Sequence, residues 1–189
     1  FTVSSSALSS KLNMLVKVIG SKNSLPILDN FLFQVANGEL SITASDNDNI
    51  IKSNIALTDC EGEGEFCVPT RVVIDALKEL PEQPLNFDVD TESYAIKIVY
   101  QNGLYNFTGI DSEDYPRSQE MAEGCTIITL PTDILIENIT RSLFATASDE
   151  LRPVMNGIYF DLTPEALAIV SSDGHKPVSY THLRAHETR

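Results

Sequence analysis

Ser172, Asp173 and His175 stand within four residues of one another and carry the hydroxyl, carboxylate and imidazole of a hydrolytic triad. Their closeness argues against that chemistry. Nucleophile, base and orienting acid normally converge from separate parts of a fold, and no G-x-S-x-G nucleophile elbow is present. Asp46-Asn47-Asp48-Asn49 opens like a calcium loop, yet Ile51 replaces the glycine such a loop needs and Leu57 its closing glutamate. Cys60, Cys67 and Cys125 lack C-x-x-C spacing and a nearby histidine, so they read as small core or loop thiols and not as zinc ligands. The Asn-x-Thr sequons at Asn106 and Asn138 carry no weight without a secretory signal. With no Gly-rich phosphate loop either, neither a catalytic residue nor a cofactor is expected, and the chain reads as something other than an enzyme.

What remains is the chemistry of cations. A net charge of −14 speaks, by itself, against a nucleic-acid partner, because phosphate binding calls for a basic surface. The distribution matters more than the sum. Residues 1–28 contain no acid but hold Lys11, Lys17 and Lys22, while the acids gather in 46–65 and 82–123. One face can therefore be positive on an acidic body.

The elements that must position these groups follow from periodicity. At 189 residues, 42% hydrophobic and 21% charged, the chain has the composition of a globular protein of one or two domains. No apolar run approaches the roughly 18 residues that cross a bilayer, and Phe1-Thr2-Val3-Ser4 forms no signal peptide, so a cytoplasmic location is expected. Over 6–19, Leu8, Leu12, Leu15, Val16 and Ile19 recur at helical spacing with Lys11 and Lys17 off that stripe. Residues 30–35 and 39–44 predict two strands joined by Asn37-Gly38, with a third strand over 50–57 and a solvated loop over 61–65. Pro69-Thr70 opens a second helix, Thr70 as N-cap and Val73, Ile74, Leu77 and Leu80 as its stripe, ended by Pro81. Strands are predicted over 85–89, 94–100 and 104–109, the last two joined through Asn102-Gly103.

After residues 121–124 the order starts again, with a strand over 126–130 and a helix carrying Leu135, Ile136, Ile139 and Leu143. Leu8, Pro26, Phe33, Leu40, Ile42 and Asp46 reappear as Leu135, Pro153, Phe160, Leu167, Ile169 and Asp173, at one fixed offset that marks a repeated structural unit. The second copy stops after its first hairpin, which leaves an apolar face to be exposed. Residues 178–189 resemble the translation of a sequencing adapter and are set aside from the fold as a non-native tail. The expected class is α+β with tandem helix-plus-antiparallel-sheet repeats: a complete unit over 1–122 and a truncated one over 123–177.

Three stretches carry a family resemblance. Lys22-Asn23-Ser24-Leu25-Pro26-Ile27-Leu28-Asp29-Asn30, Val68-Pro69-Thr70-Arg71, and Met155-Asn156-Gly157-Ile158 with Ser172-Asp173-Gly174-His175-Lys176 resemble segments of the bacterial DNA sliding clamp, the beta subunit of DNA polymerase III, over 1–176. That resemblance implies a DNA clamp fold of three similar domains per subunit and a homodimeric ring around double-stranded DNA. The implied protein is a non-catalytic processivity factor whose partners are the polymerase alpha subunit, the clamp loader and other proteins bearing a clamp-binding motif. By the same resemblance Lys22 and Arg71 match DNA-contacting positions, and Met155, Ser172, Gly174, His175 and Lys176 match a partner-peptide pocket. Lys11, Lys17, Lys78 and Arg141 are DNA-contact candidates from helix placement alone. Pro177 departs from the apolar residue usual in that pocket. The competing expectation is an interaction module built on the same repeat without a DNA role.

Overall fold

The structure, a computed structural model, describes residues 1–20, 23, 25–46, 48–117, 124, 128–148, 151–163, 166–175 and 177–181. Two compact units divide the chain, Phe1–Gln119 and Glu120–Arg189. The first contains β1 (Thr2–Ser4), α1 (Ser5–Leu15), a 3-10 turn (Pro26–Asp29), β2 (Asn30–Ala36), β3 (Glu39–Ser45) and β4 (Ile50–Ala56). It continues with β5 (Gly64–Pro69), α2 (Thr70–Lys78), β6 (Pro84–Val89), β7 (Ala95–Tyr100) and β8 (Gly103–Thr108). Two antiparallel four-stranded sheets result, ordered β1-β6-β7-β8 and β4-β3-β2-β5.

A single core joins both sheets to both helices. Phe33 and Phe66 from one sheet, Phe87, Ile96 and Ile98 from the other, and Leu8, Leu12, Leu15, Val73 and Leu77 from the helices form one buried cluster. Each of those side chains contributes roughly 1.5–3 kcal/mol by leaving water. The chain beyond β8 is tied back across β2 and β5. Ile110 exchanges both backbone hydrogen bonds with Cys67, at 2.8 and 3.0 Å. The buried Tyr115 hydroxyl lies 3.3 Å from each of the Asn30 and Thr43 carbonyls, and Arg117 pairs with Glu65.

Several predicted boundaries shift, each for a local reason. The first helix ends at Leu15 and not Ile19, because the amides of Lys17, Val18 and Ile19 bond three residues back and tighten the chain before Gly20. Thr70 is the first helical residue; Pro69 takes the cap position without a side-chain bond, and the Thr70 hydroxyl is buried with no partner among the described residues. β5 is a strand that the sequence pattern does not predict, because Phe66, Cys67 and Val68 are buried consecutively, without the alternation that marks a strand. In the β7–β8 hairpin the two loop residues are Gln101 and Asn102, since Tyr100 pairs with Gly103. A Cβ on Gly103 would stand 2.7 Å from the Tyr100 hydroxyl, so this glycine serves a close approach and not a left-handed turn. The β2–β3 turn is as expected, with Asn37 at φ 52° and Gly38 at φ 74°.

The second unit contains α3 (Thr132–Leu143), a 3-10 turn (Pro153–Asn156), β9 (Tyr159–Leu162), β10 (Leu167–Ser172) and β11 (Pro177–Thr181), with sheet order β11-β10-β9. Its pairings repeat those of the first unit at a constant offset of 127. Phe33 faces Ile42 and Val35 faces Leu40, as Phe160 faces Ile169 and Leu162 faces Leu167. Ser45 faces Ile50 and Thr43 faces Lys52, as Ser172 faces Pro177 and Val170 faces Ser179. The two 3-10 turns begin at Pro26 and Pro153. A register slip of one residue would turn each strand over, so this agreement puts corresponding residues at corresponding positions of the two sheets.

Burial differs between the copies. Phe33 is 0% exposed and lies against Phe66 of β5, whereas Phe160 is 44% exposed and no described strand of the second unit corresponds to β5. Of the strand expected over 126–130, residues 126 and 127 lie outside the described residues and 128–130 form no strand. The equivalent strand β1 is held by β6, which also has no described counterpart there. Residues 178–181, set aside from the fold on sequence grounds, take part in β11; an open sheet edge accepts any extended segment that follows the turn. Residues 182–189 lie outside the described residues. Among the described residues no helix is long and apolar enough to cross a membrane.

Candidate nucleic-acid interface and partner pocket

α1 starts at a doubly secured end. The Ser4 hydroxyl accepts from the Ala7 amide at 3.2 Å, and the Glu82 carboxylate accepts from the Ser4 hydroxyl at 2.8 Å and the Ser6 amide at 3.1 Å. Burial of Leu8, Leu12 and Leu15 turns Ser6, Ser10, Asn13 and Met14 outward, with Lys11 half-buried. No acid stands on this helix. Lys17 is exposed, but in the turn after it.

α2 contacts α1 and buries Val73, Ala76 and Leu77. Arg71 and Lys78, seven residues apart, fall on one exposed face with Asp75 between them, so the helix carries two cations against one acid. α3 reverses the balance: Asp133 and Glu137 outnumber Arg141, whose guanidinium pairs with Glu137 one turn back. Both partners of that pair are 55% exposed, so it is weak and open to exchange for another anion. Lys11, Arg71 and Lys78 thus sit on two neighbouring helices of one unit, and Arg141 sits on a helix of the other. Lys22 lies outside the described residues.

So sparse a set is suited only to weak, nonspecific contact with phosphate. Three neutralised phosphates correspond to a slope of roughly −3 in log affinity against log salt, far from the steep dependence of an adhesive binder. Side chains that reach only phosphate oxygens carry no sequence information.

The expected pocket residues converge at the β10–β11 turn. Gly174 has φ +85°, and a Cβ there would lie 3.1 Å from Arg152 Nη1, 3.6 Å from Met155 Sδ and 3.9 Å from Met155 Cε. Met155, half-buried in the 3-10 turn, is therefore a direct neighbour of Gly174 across nineteen residues of chain. Its carbonyl accepts from the Ala147 amide at 2.9 Å, which ties the turn to the chain that follows α3. His175 is exposed and Ser172 half-buried; Lys176 lies outside the described residues. Arg152 belongs to this group but was missed, because its repeat counterpart is Leu25 and no periodic pattern flags it.

The same turn disposes of the triad reading. Ser172 Oγ accepts from the Gly174 amide at 3.0 Å and Asp173 Oδ1 from the His175 amide at 2.8 Å. These are local bonds that shape the loop. The equivalent loop of the first unit does likewise: Asp46 Oδ1 accepts from the amides of Asn49 and Asp48, at 2.8 and 3.1 Å. The Asn49 bonds come first in holding the Asp46 carboxyl below its usual range. Among the described residues no cluster of three His, Cys, Asp or Glu side chains could hold a metal ion.

Comparison with known proteins sets these features in a family context. The family model described as "DNA polymerase III beta subunit, N-terminal domain" matches residues 1–119. The beta sliding clamp of Halalkalibacterium halodurans is 28% identical over 171 residues, covering 87% of this chain and 44% of that protein. Among solved structures, the DNA polymerase III subunit beta of Pseudomonas aeruginosa superposes with a TM-score of 0.88 at 24% identity, covering 100% of this chain and 51% of that one. A sliding clamp from Bartonella birtlesii, bound to griselimycin, superposes at 0.86 with 26% identity, over 96% of this chain and 49% of that one. The chain spans about half the length of the relatives it matches.

Proposed function

Given that the chain belongs to the DNA polymerase III beta subunit family, matched over residues 1–119, we propose that it is the amino-terminal part of a DNA sliding clamp. On this reading residues 1–122 are the first clamp domain and 123–177 part of the second. The full-length protein closes as a homodimer around double-stranded DNA in the cytoplasm and tethers the replicative polymerase.

The observation that carries the proposal is the repeat of strand register at an offset of 127 in a chain of this family. A ring is built by repeating one unit, and tandem copies of the same strand register supply that repetition. Retention is then topological. A closed ring holds DNA by encirclement, so the few cations of α1 and α2 need supply only weak, sliding contact, and the acidic remainder keeps the protein off DNA elsewhere. No chemical step is required of this chain. Arg71 and Lys22 serve as the principal phosphate contacts, with Lys11, Lys17, Lys78 and Arg141 contributing to the field. The Met155–Gly174 neighbourhood, with Ser172, His175 and Lys176, forms one side of a pocket for short apolar peptides of the polymerase alpha subunit, the clamp loader and other clamp-binding proteins. A methionine suits that task because its thioether repacks around different side chains.

Charge reversal tests the assignment. In the full-length protein, Lys22→Glu with Arg71→Glu should reduce loading on DNA while the thermal unfolding midpoint stays put; unaltered loading would remove both residues from the interface.

A further inference from the structure

The two faces of the sheet ordered β4-β3-β2-β5 are covered in different ways. Phe31, Phe33, Phe66 and Val68 belong to the main core, while their alternating neighbours Leu32 and Cys67 form a small separate cluster with Tyr115, flanked by Ile27. Tyr115 comes from residues 110–117, a strap that follows β8 and leads to the boundary between the two compact units at Gln119. The closeness of this strap to β5 is written into the sequence. A Cβ on Gly109 would stand 2.5 Å from the Cys67 carbonyl oxygen, so a glycine is what lets Ile110 reach Cys67.

Beyond Ile110, itself 45% exposed, side chains hold the strap. The Tyr115 hydroxyl lies 3.3 Å from two carbonyls and can donate its single proton to only one of them at a time. Arg117 pairs with Glu65, supported by the Ser112 hydroxyl on Glu65 and the Tyr94 hydroxyl on Asp111. The Tyr115 and Glu113 amides bond within the strap, to the Ser112 carbonyl at 3.0 Å and to Asp111 Oδ1 at 3.1 Å. One buried aromatic and a set of polar bonds make a thin hold, and segments with few buried apolar contacts open before the whole domain does. We propose that residues 110–117 are a latch that opens as a unit while both sheets stay folded, lengthening the tether between the two compact units by up to about 27 Å. Opening bares Leu32 and Cys67 but leaves Phe33 and Phe66 covered. The inference rests on the first unit alone and stands apart from the clamp reading.

Cys67 reports the latch. Its side chain is buried beneath the strap, and burial pushes the thiol up to about 12, so it reacts with a disulfide reagent only when uncovered. The test uses the 189-residue chain carrying Cys60→Ser and Cys125→Ser, labelled with dithiobis(nitrobenzoate) at pH 8. Labelling should be slow, nearly independent of urea below the unfolding transition, and about tenfold faster with Arg117→Ala. Ile98→Val, in the main core, should lower the urea midpoint yet alter labelling by less than about twofold. Labelling that rises with urea along the global unfolding slope, or that Ile98→Val quickens as much as Arg117→Ala does, would overturn the proposal, because the strap then opens only with the whole unit. A rate equal to that of the chain unfolded in concentrated urea, or one that Arg117→Ala leaves unaltered, would overturn it as well, because the strap is then not latched by these contacts.

Discussion

Replacing Glu65 with glutamine should destabilise the first unit by about 1–2 kcal/mol at neutral pH, and the deficit should disappear in acid. Glu65 lies on β5 and receives Arg117 from the segment beyond β8: Nη1 donates to Oε2 at 2.9 Å, and Nη2 to Oε1 completes the fork. Gln34 Nε2 donates to the same carboxylate at 2.6 Å. These bonds, the Arg117 fork foremost, pull the Glu65 carboxyl from 4.5 to about 2. A folded-state value below the unfolded one means that the stabilisation is complete above pH 4.5 and is lost as pH falls from there toward 2. The full displacement corresponds to a ceiling of roughly 3 kcal/mol. Glu65 is 26% exposed and Arg117 52%, so solvent screening reduces that ceiling by half or more. Urea unfolding of both proteins, followed by far-UV circular dichroism at pH 7, 5, 3.5 and 2.5, measures the gap. No gap at pH 7, or a gap as large at pH 2.5 as at pH 7, would refute the account of how the segment past β8 is held.

Two further predictions concern the repeat and the partner pocket. Phe33→Ala removes a fully buried ring packed against Phe66 and should cost about 3–5 kcal/mol in urea unfolding; Phe160→Ala, at the equivalent but 44% exposed position, should cost under about 1.5 kcal/mol. Gly174→Ala places a Cβ at φ +85° and 3.1 Å from Arg152 Nη1, so the turn should open more often by a local cost of about 1 kcal/mol. Faster hydrogen exchange at the His175 amide, which is bonded to Asp173, is the expected readout, and unaltered exchange would show that the glycine is not required there.

The parts of the fold legible in the sequence are those whose cause is local. Asn37-Gly38 declares a left-handed turn, α2 declares itself by its stripe and Pro81, and the offset of 127 shows through shared residue types before any pairing is known. β5 was not legible, because a strand buried on both faces has no alternation and its partners lie about thirty residues away. The first helix boundary failed for a related reason: Val16 and Ile19 pack against the core from a turn, and burial alone does not distinguish a turn from a helix. At the candidate sites, residue types identified the basic positions, whereas charge balance required the structure. Asp75 beside Arg71 and Lys78, and Glu137 beside Arg141, make the helices far less cationic than a count of lysines and arginines implies. Arg152 entered only through its distance to Gly174.

The central claim, that DNA is retained by encirclement and not by adhesion, is tested most directly by topology. Full-length protein loaded on a nicked circular plasmid should remain bound through gel filtration and be lost once a restriction enzyme linearises the DNA. Equal retention on circular DNA and on linear DNA with free ends would contradict it, for then the cations of α1 and α2 would be holding the duplex by themselves.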